Sequence, residues 1–145
     1  MNRILCIGNR YHPEDCAGPK VCDLIQRSPL PEGVEVVDGG LASLNLLRFL
    51  HGAERIVFVD QVEGFASPGQ VVILDPQSAA AAAVESFDHA GGLAYLLRLL
   101  PAVWEAQLPL IVIVGVEGQA DSAALHEAAA LAVELATCGH AGGAA

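Results

Sequence analysis

The feature that most constrains the fold of this chain is the alternation of short apolar runs with segments of helical spacing. The apolar runs are RILCIG (3–8), VEVV (34–37), IVFVD (56–60), QVVIL (70–74) and LIVIV (110–114). Each has the length and apolar character of a buried strand. The alternation predicts a single three-layer α/β/α domain with a mostly parallel five-stranded sheet. The connection between the third and fourth runs is short enough for an antiparallel pair, so the sheet is expected to be mixed.

Apolar residues at helical spacing occupy the segments between these runs. They predict helices at 19–26, from residue 41 through Leu44, Leu47 and Leu50, at 93–100, and from Asp121 or Ser122 to about residue 135. The alanine-rich segment 77–86 is compatible with a further helix. The chain of 145 residues fits one domain, which we place at residues 1–138, followed by a disordered tail at 139–145.

Composition and charge exclude several classes of protein. With 53% hydrophobic residues the chain can bury a core. No apolar run approaches the roughly 18 residues of a membrane span, and the N-terminal residues lack the zones of a signal peptide. We therefore expect a cytoplasmic protein that does not bind membranes. The net charge of −10, with only seven Lys and Arg residues, argues against a nucleic-acid partner.

The four cysteines are too scattered for a disulfide framework or a C-x-x-C motif; they are Cys6, Cys16, Cys22 and Cys138. Cys6 and Cys22 fall on apolar faces and are interpreted as core residues. Cys16 is a candidate nucleophile, with His12 or His89 as its base. Two acidic neighbours oppose ionisation of its thiol, so a structural role for Cys16 is favoured.

Polar residues follow the predicted strands at the edge where open α/β sheets bind ligands. They are Asn9, Glu14, Asp15, Asp38, Asp60 and Glu117, with His89 in the loop before the 93–100 helix. Two carboxylates and an imidazole suit a divalent metal ion. The alternative is that the acids cap turns or helices and that His89 is a solvated loop residue. No G-x-G-x-x-G, Walker A or G-x-S-x-G motif is present, and no organic cofactor is expected.

The order of these motifs resembles the hydrogenase maturation proteases, the nickel-dependent endopeptidases that trim the C-terminus of [NiFe]-hydrogenase large subunits. The resemblance covers about residues 3–116. It is carried by Gly8-Asn9 with the acid pair Glu14-Asp15 and then Gly18, by Asp38-Gly39-Gly40, by Asp60, by His89 ahead of Gly91-Gly92-Leu93, and by Val114-Gly115-Val116. It implies a phosphorylase/hydrolase-like α/β fold.

The resemblance also implies roles for particular residues. Asp15, Asp60 and His89 would be the catalytic residues and metal ligands of an aspartyl-type endopeptidase. Asn9 and the segment Asp38-Gly39-Gly40 would bind the substrate. The nickel would be supplied by the [NiFe]-hydrogenase large-subunit precursor, and it would polarise the scissile carbonyl or bind the attacking water.

The sequence departs from the family pattern at several positions. Cys16 replaces a usual Gly, Tyr11 a Leu, Leu41 a Thr, and Ala90 an acidic or amide residue that would orient His89; the segment after Val116 is also shorter. These departures leave open a catalytically silent maturation factor that binds metal and precursor. A peptidyl-tRNA hydrolase, whose first strand also ends in Gly-Asn, is a further alternative, although the net charge opposes it.

Overall fold

The computed structural model describes residues 1–41, 44–81 and 92–137. The strands are β1 (Asn2–Ile7), β2 (Val34–Gly40), β3 (Arg55–Val62), β4 (Val71–Leu74) and β5 (Leu110–Glu117). The helices are α1 (Ala17–Ile25), α2 (Pro76–Ala81), α3 (Gly92–Val103) and α4 (Ser122–Thr137), with a 3-10 helix at Leu44–Phe49. None of the helices in these ranges has the length and apolarity needed to cross a membrane.

The strands form one mixed sheet in the order β2-β1-β3-β5-β4. All neighbouring pairs are parallel except β4 and β5. The prediction of a mostly parallel, mixed, five-stranded sheet is therefore confirmed. The antiparallel partner of β4 is β5, however, and not the preceding strand β3. Both edges of β3 are occupied, by β1 and β5, so β4 cannot pair with β3 and pairs with the outer edge of β5.

Three strands extend further than their apolar runs suggest. The ladder between β3 and β5 continues through the pairs Asp60–Gly115, Gln61–Val116 and Val62–Glu117, and β2 includes the residues up to Gly40. The prediction that the third strand ends at Asp60 is wrong. Polar side chains at the carboxyl edge of the sheet interrupt the apolar pattern while the main chain keeps its pairing.

Side chains of the sheet alternate between two cores. Phe58 packs with residues of α3 and the 3-10 helix on one face, while Val57 and Val59 pack with α1 and α4 on the other. Successive strand residues point to opposite faces. Asp60 therefore shares the face of Phe58, and Gln61 shares the face that α1 covers. The three-layer arrangement is confirmed.

The segment after residue 41 folds differently from its prediction. Leu44, Leu47 and Leu50 are spaced by three residues, which is the period of a 3-10 helix, and this is the helix that forms. The buried side chains are Leu46 and Leu50, whereas Leu44 is 51% exposed. At α4, the Asp121 carboxylate accepts a hydrogen bond from the Ala124 N–H (2.9 Å) and confirms the predicted N-cap. The predicted tail, 139–145, lies outside the described residues.

Candidate active site

The loop between β1 and α1 folds back on the end of β1 and buries Asp15. Gly8 has a φ of +145°, and a Cβ added there would lie 2.3 Å from the Asp15 carbonyl oxygen and 3.3 Å from Asp15 Oδ1. That carbonyl accepts a hydrogen bond from the Asn9 N–H (2.8 Å), and the Asp15 N–H donates to the His12 carbonyl (2.8 Å). Because residue 8 has no side chain, the main chain of Asp15 can approach it this closely. Asp15 is only 4% exposed in this position.

The adjacent acid differs from Asp15 in its surroundings. Glu14 is exposed, and its N–H donates to His12 Nδ1 at 3.3 Å. The two adjacent acids thus differ, because Asp15 is buried and Glu14 is exposed. Cys16 occupies the N-cap position of α1 and makes no side-chain capping bond.

Asp60 lies at the same edge of the sheet as Asp15. It is 2% exposed, and its Oδ1 accepts a hydrogen bond from the Gln61 N–H (2.9 Å). The side chain of Gln61 reaches the other face, where its Oε1 accepts the Ala17 N–H at 3.1 Å. This bond fastens the start of α1 to β3. The structure thus brings the short segment that carries Asp15 against the end of the strand that carries Asp60.

The third residue of the predicted metal set cannot be placed with these two. His89 lies outside the described residues. Within 1–41, 44–81 and 92–137, no group of three or more His, Cys, Asp or Glu side chains could hold a metal ion. The metal site of Asp15, Asp60 and His89 therefore stays a prediction. The structure describes two of its three residues, the buried carboxylates Asp15 and Asp60.

The predicted substrate-binding residues border this edge. Asp38 is exposed; its Oδ1 accepts the Gly40 N–H (3.2 Å) and its Oδ2 pairs with Arg10 Nη2 (3.0 Å). Arg10 Nη1 also pairs with Asp23 Oδ2 at 3.0 Å. The hydrogen bonds that Arg10 donates to Asp23, and then those to Asp38, raise the pKa of Arg10 above its ordinary value. Arg10 was not predicted as a site residue, and it links the β1–α1 loop to both α1 and β2.

The other three predicted substrate-binding residues are close by. Asn9 is exposed, and its Oδ1 accepts the Tyr11 N–H at 3.0 Å, which stabilises the turn of the β1–α1 loop. Gly39 lies in β2 between Asp38 and Gly40. The Gly40 carbonyl accepts the Gly8 N–H at 2.9 Å. The end of β2 is thereby joined to the start of the loop that carries Asp15, although a role in binding substrate stays a prediction for all of these residues.

The cysteines of the described ranges are free thiols in buried positions. Cys6 and Cys22 are fully buried in the core, as predicted. The pKa of the Cys6 thiol is raised well above its ordinary value. The larger cause is its hydrogen bond with Cys22, and the second is burial. Cys16 Sγ donates to the Pro13 carbonyl at 3.7 Å and is 8% exposed. This contact agrees with a structural role for Cys16.

Glu117 has a structural contact that the sequence does not indicate. It is 5% exposed at the end of β5. Its Oε2 accepts the Gly64 N–H (2.9 Å), and its Oε1 accepts the N–H groups of Phe65 (2.9 Å) and Ala66 (3.0 Å). Glu117 therefore fixes the loop that follows β3. Gln61 was also missed, and the only signal for it is a polar residue directly after Asp60 in an otherwise apolar strand.

Solved structures of hydrogenase maturation proteases share this fold. The hydrogenase maturating endopeptidase HybD from Escherichia coli superposes with a TM-score of 0.70 at 22% identity, covering 97% of this chain and 93% of that one. The [NiFe] hydrogenase maturation protease HybD from Thermococcus kodakarensis gives 0.65 at 24% identity, covering 94% and 96%. At these identities the likeness shows the fold.

Sequence comparisons identify the family. The hydrogenase 3 maturation protease of Escherichia coli (strain K12) is 34% identical over 80 residues, which are 53% of this chain and 50% of that protein. The chain thus matches about half the length of this curated relative. The family model HycI, described as hydrogenase maturation protease, matches residues 19–138, a range that includes Asp38, Asp60 and His89 but not Asp15. Because this match spans most of the sequence, the chain belongs to the hydrogenase maturation protease family.

Proposed function

We propose that this chain is an endopeptidase that removes the C-terminal extension of a nickel-loaded [NiFe]-hydrogenase large-subunit precursor. The observation that carries the proposal is the burial of two carboxylates, Asp15 and Asp60, at the carboxyl edge of the sheet in a member of this family. Membership of the family also removes the reason for considering a peptidyl-tRNA hydrolase. The proposal includes a cytoplasmic location for the reaction.

The two carboxylates are suited to a cation that arrives with the substrate. Carboxylate oxygens are ligands for divalent metal ions, and an imidazole from His89 would complete a set with open coordination positions. Nickel, which is part of the substrate here, would supply Lewis acidity at the scissile carbonyl or at the attacking water. Asp15 and Asp60 would hold that ion in place through their carboxylates. No serine or cysteine nucleophile is then required.

The positions of the other polar residues support binding of a peptide next to this edge. Asp38 lies on the outer strand β2 and is exposed, so a substrate could reach it. Arg10 joins Asp38 to the β1–α1 loop at 3.0 Å. A substrate that contacts Asp38 or Asn9 would therefore lie next to the loop that positions Asp15.

The test is cleavage of a purified precursor in its nickel-loaded and nickel-free forms, followed by mass spectrometry of the precursor C-terminus. The unmodified chain should cleave only the nickel-loaded form. Asp15→Asn, Asp60→Asn and His89→Gln should each lower the rate at least about 100-fold, because each removes a metal ligand. Glu14→Gln is the matched control. It neutralises the exposed acid next to Asp15 and should leave the rate within about two-fold.

Two results would contradict this function. One is equal cleavage of the nickel-free precursor, which would show that the nickel takes no part. The other is full activity of the Asp15 and Asp60 variants. Binding of the nickel-loaded precursor without any change in its mass would instead favour the catalytically silent maturation factor, which Ala90 suggests because its methyl side chain cannot orient His89.

A further inference from the structure

Two cavities lie along the junction of α1 and α4. The first, of about 230 Å³, borders Cys16, Ala17 and Gln61, which are sequence neighbours of the two buried carboxylates, although neither Asp15 nor Asp60 itself lines it. A second cavity of about 400 Å³ lies further along α1. The two cavities share the lining residues Lys20, Ala120 and Leu125. The two cavities therefore adjoin, and we call them together the α1–α4 groove.

The α1–α4 groove is positively charged although the chain as a whole is acidic. Its lining includes Arg10, Lys20 and Arg27, which are three of the seven Lys and Arg residues, and Lys20 is the only lysine. Asp23 is the one acidic residue among the lining residues of the two cavities, against seventeen Asp and Glu residues in the chain. Arg10 pairs with both Asp23 and Asp38, so Lys20 and Arg27 are the cations that carry the positive charge of the groove. In the described part of the chain, no ion pair joins Lys20 or Arg27 to another residue.

The spacing of the two unpaired cations fits a short extended peptide. Lys20 and Leu24 are four residues apart on α1, and Arg27 follows in the turn after the helix ends at Ile25, where its N–H donates to the Leu24 carbonyl (3.2 Å). A span of seven residues at helical rise is about 10 Å, which is the length of about three residues of extended chain. Leu24 of α1 and Leu125 of α4 both line the second cavity. The groove thus offers an apolar surface between two positive charges.

We infer that the α1–α4 groove binds an acidic, extended segment of the precursor next to its cleavage site. The inference rests on the proposed function, because it takes the bound segment to be part of the precursor. The segment would carry two carboxylates about three residues apart with an apolar residue between them. The net charge of −10 does not prevent this, since charges beyond about 8 Å are largely screened at physiological ionic strength. A nucleic acid, with its continuous charge, would meet the acidic surface around the groove.

The test measures binding of short peptides, so that it needs neither nickel nor cleavage. A fluorescein-labelled peptide Gly-Ser-Glu-Ala-Leu-Glu-Ser-Gly is titrated with the full chain and followed by anisotropy, beside a peptide with Gln for both Glu residues. The acidic peptide should bind at least about 5-fold more tightly. Lys20→Gln and Arg27→Gln should each weaken its binding about 2- to 5-fold, because each removes one exposed ion pair. Arg48→Gln makes the same charge change away from the groove and should have no effect.

Further measurements separate this inference from nonspecific charge effects and from the proposed function. Moving both Glu residues to one end of the peptide should weaken binding, since one cation then loses its partner. With the precursor as substrate, the groove variants should raise KM and leave kcat unchanged. Equal binding of the Glu and Gln peptides, or equal effects of Lys20→Gln and Arg48→Gln, would overturn the inference. If the peptides bind as expected but no precursor is cleaved, the proposed function is contradicted, while binding of an acidic peptide in the groove is supported.

Discussion

Replacing Glu117 with glutamine should destabilise the fold by about 2–3 kcal/mol. The carboxylate accepts three main-chain hydrogen bonds, from Gly64, Phe65 and Ala66, and bonds to a charged group are worth about 1.5–3 kcal/mol each. A glutamine oxygen could keep the bonds from Phe65 and Ala66 in weaker, neutral form. Its amide NH₂ would face the Gly64 N–H, which places two donors against each other. The lower desolvation cost of the neutral side chain offsets part of this loss.

The matched control for this substitution is Glu63→Gln. Glu63 is exposed, precedes the same loop and makes no hydrogen bond to another described residue, so its replacement should change stability by less than about 0.5 kcal/mol. The free energy of unfolding would be measured by urea denaturation, followed by far-UV circular dichroism and by the fluorescence of Trp104. A loss of 2–3 kcal/mol should lower Tm by about 4–12 °C. If Glu117→Gln and Glu63→Gln are equally stable, Glu117 does not hold the loop and the reasoning is refuted.

Three further substitutions test close packing and helix capping. Gly18→Ala should cost about 3 kcal/mol, because the added Cβ would lie 2.0 Å from the Ile7 carbonyl oxygen; an unchanged Tm would contradict this contact. Gly8→Ala should displace Asp15 and abolish precursor cleavage, since position 8 combines a φ of +145° with a 2.3 Å approach; retained cleavage would show that the loop tolerates the shift. Hydrogen bonds at the start of α2 hold the pKa of Asp75 below its usual value, so its stabilising contribution is present above about pH 4 and is lost as the pH falls through the lowered pKa. Asp75→Asn should therefore make the free energy of unfolding depend less on pH between about pH 5 and about pH 2, and an unchanged pH profile would contradict it.

The existence of the five strands could be predicted because each has an apolar run that only a buried position explains. Their ends could not, because Asp60 and Gln61 look like the residues that follow a strand. Inside the sheet, their main-chain groups pair with Gly115 and Val116 of β5, which lie more than fifty residues further along the chain. Pairing over that distance leaves no local pattern in the sequence.

The candidate site was predicted in part for the same reason. Asp15 and Asp60 could be assigned to one edge because carboxyl ends of parallel strands lie together, and both are buried there. The anchoring roles of Gln61 and Glu117 could not be assigned. Their partners are main-chain N–H groups at Ala17 and in 64–66, and every residue type except proline carries such a group. The role of His89 as a metal ligand remains a prediction from the resemblance.

The position of β5 between β3 and β4 has a consequence for synthesis on the ribosome. β4 leaves the ribosome well before β5, yet β5 is the strand with which it pairs. Until residue 117 has emerged, unpaired main-chain groups are present along the edge of β3 that later pairs with β5 and along the whole of β4. Such groups promote association between nascent chains. Completion of the sheet therefore waits for β5, the last strand of the described residues, and we expect nascent chains that stop before β5 to be the forms that require chaperones.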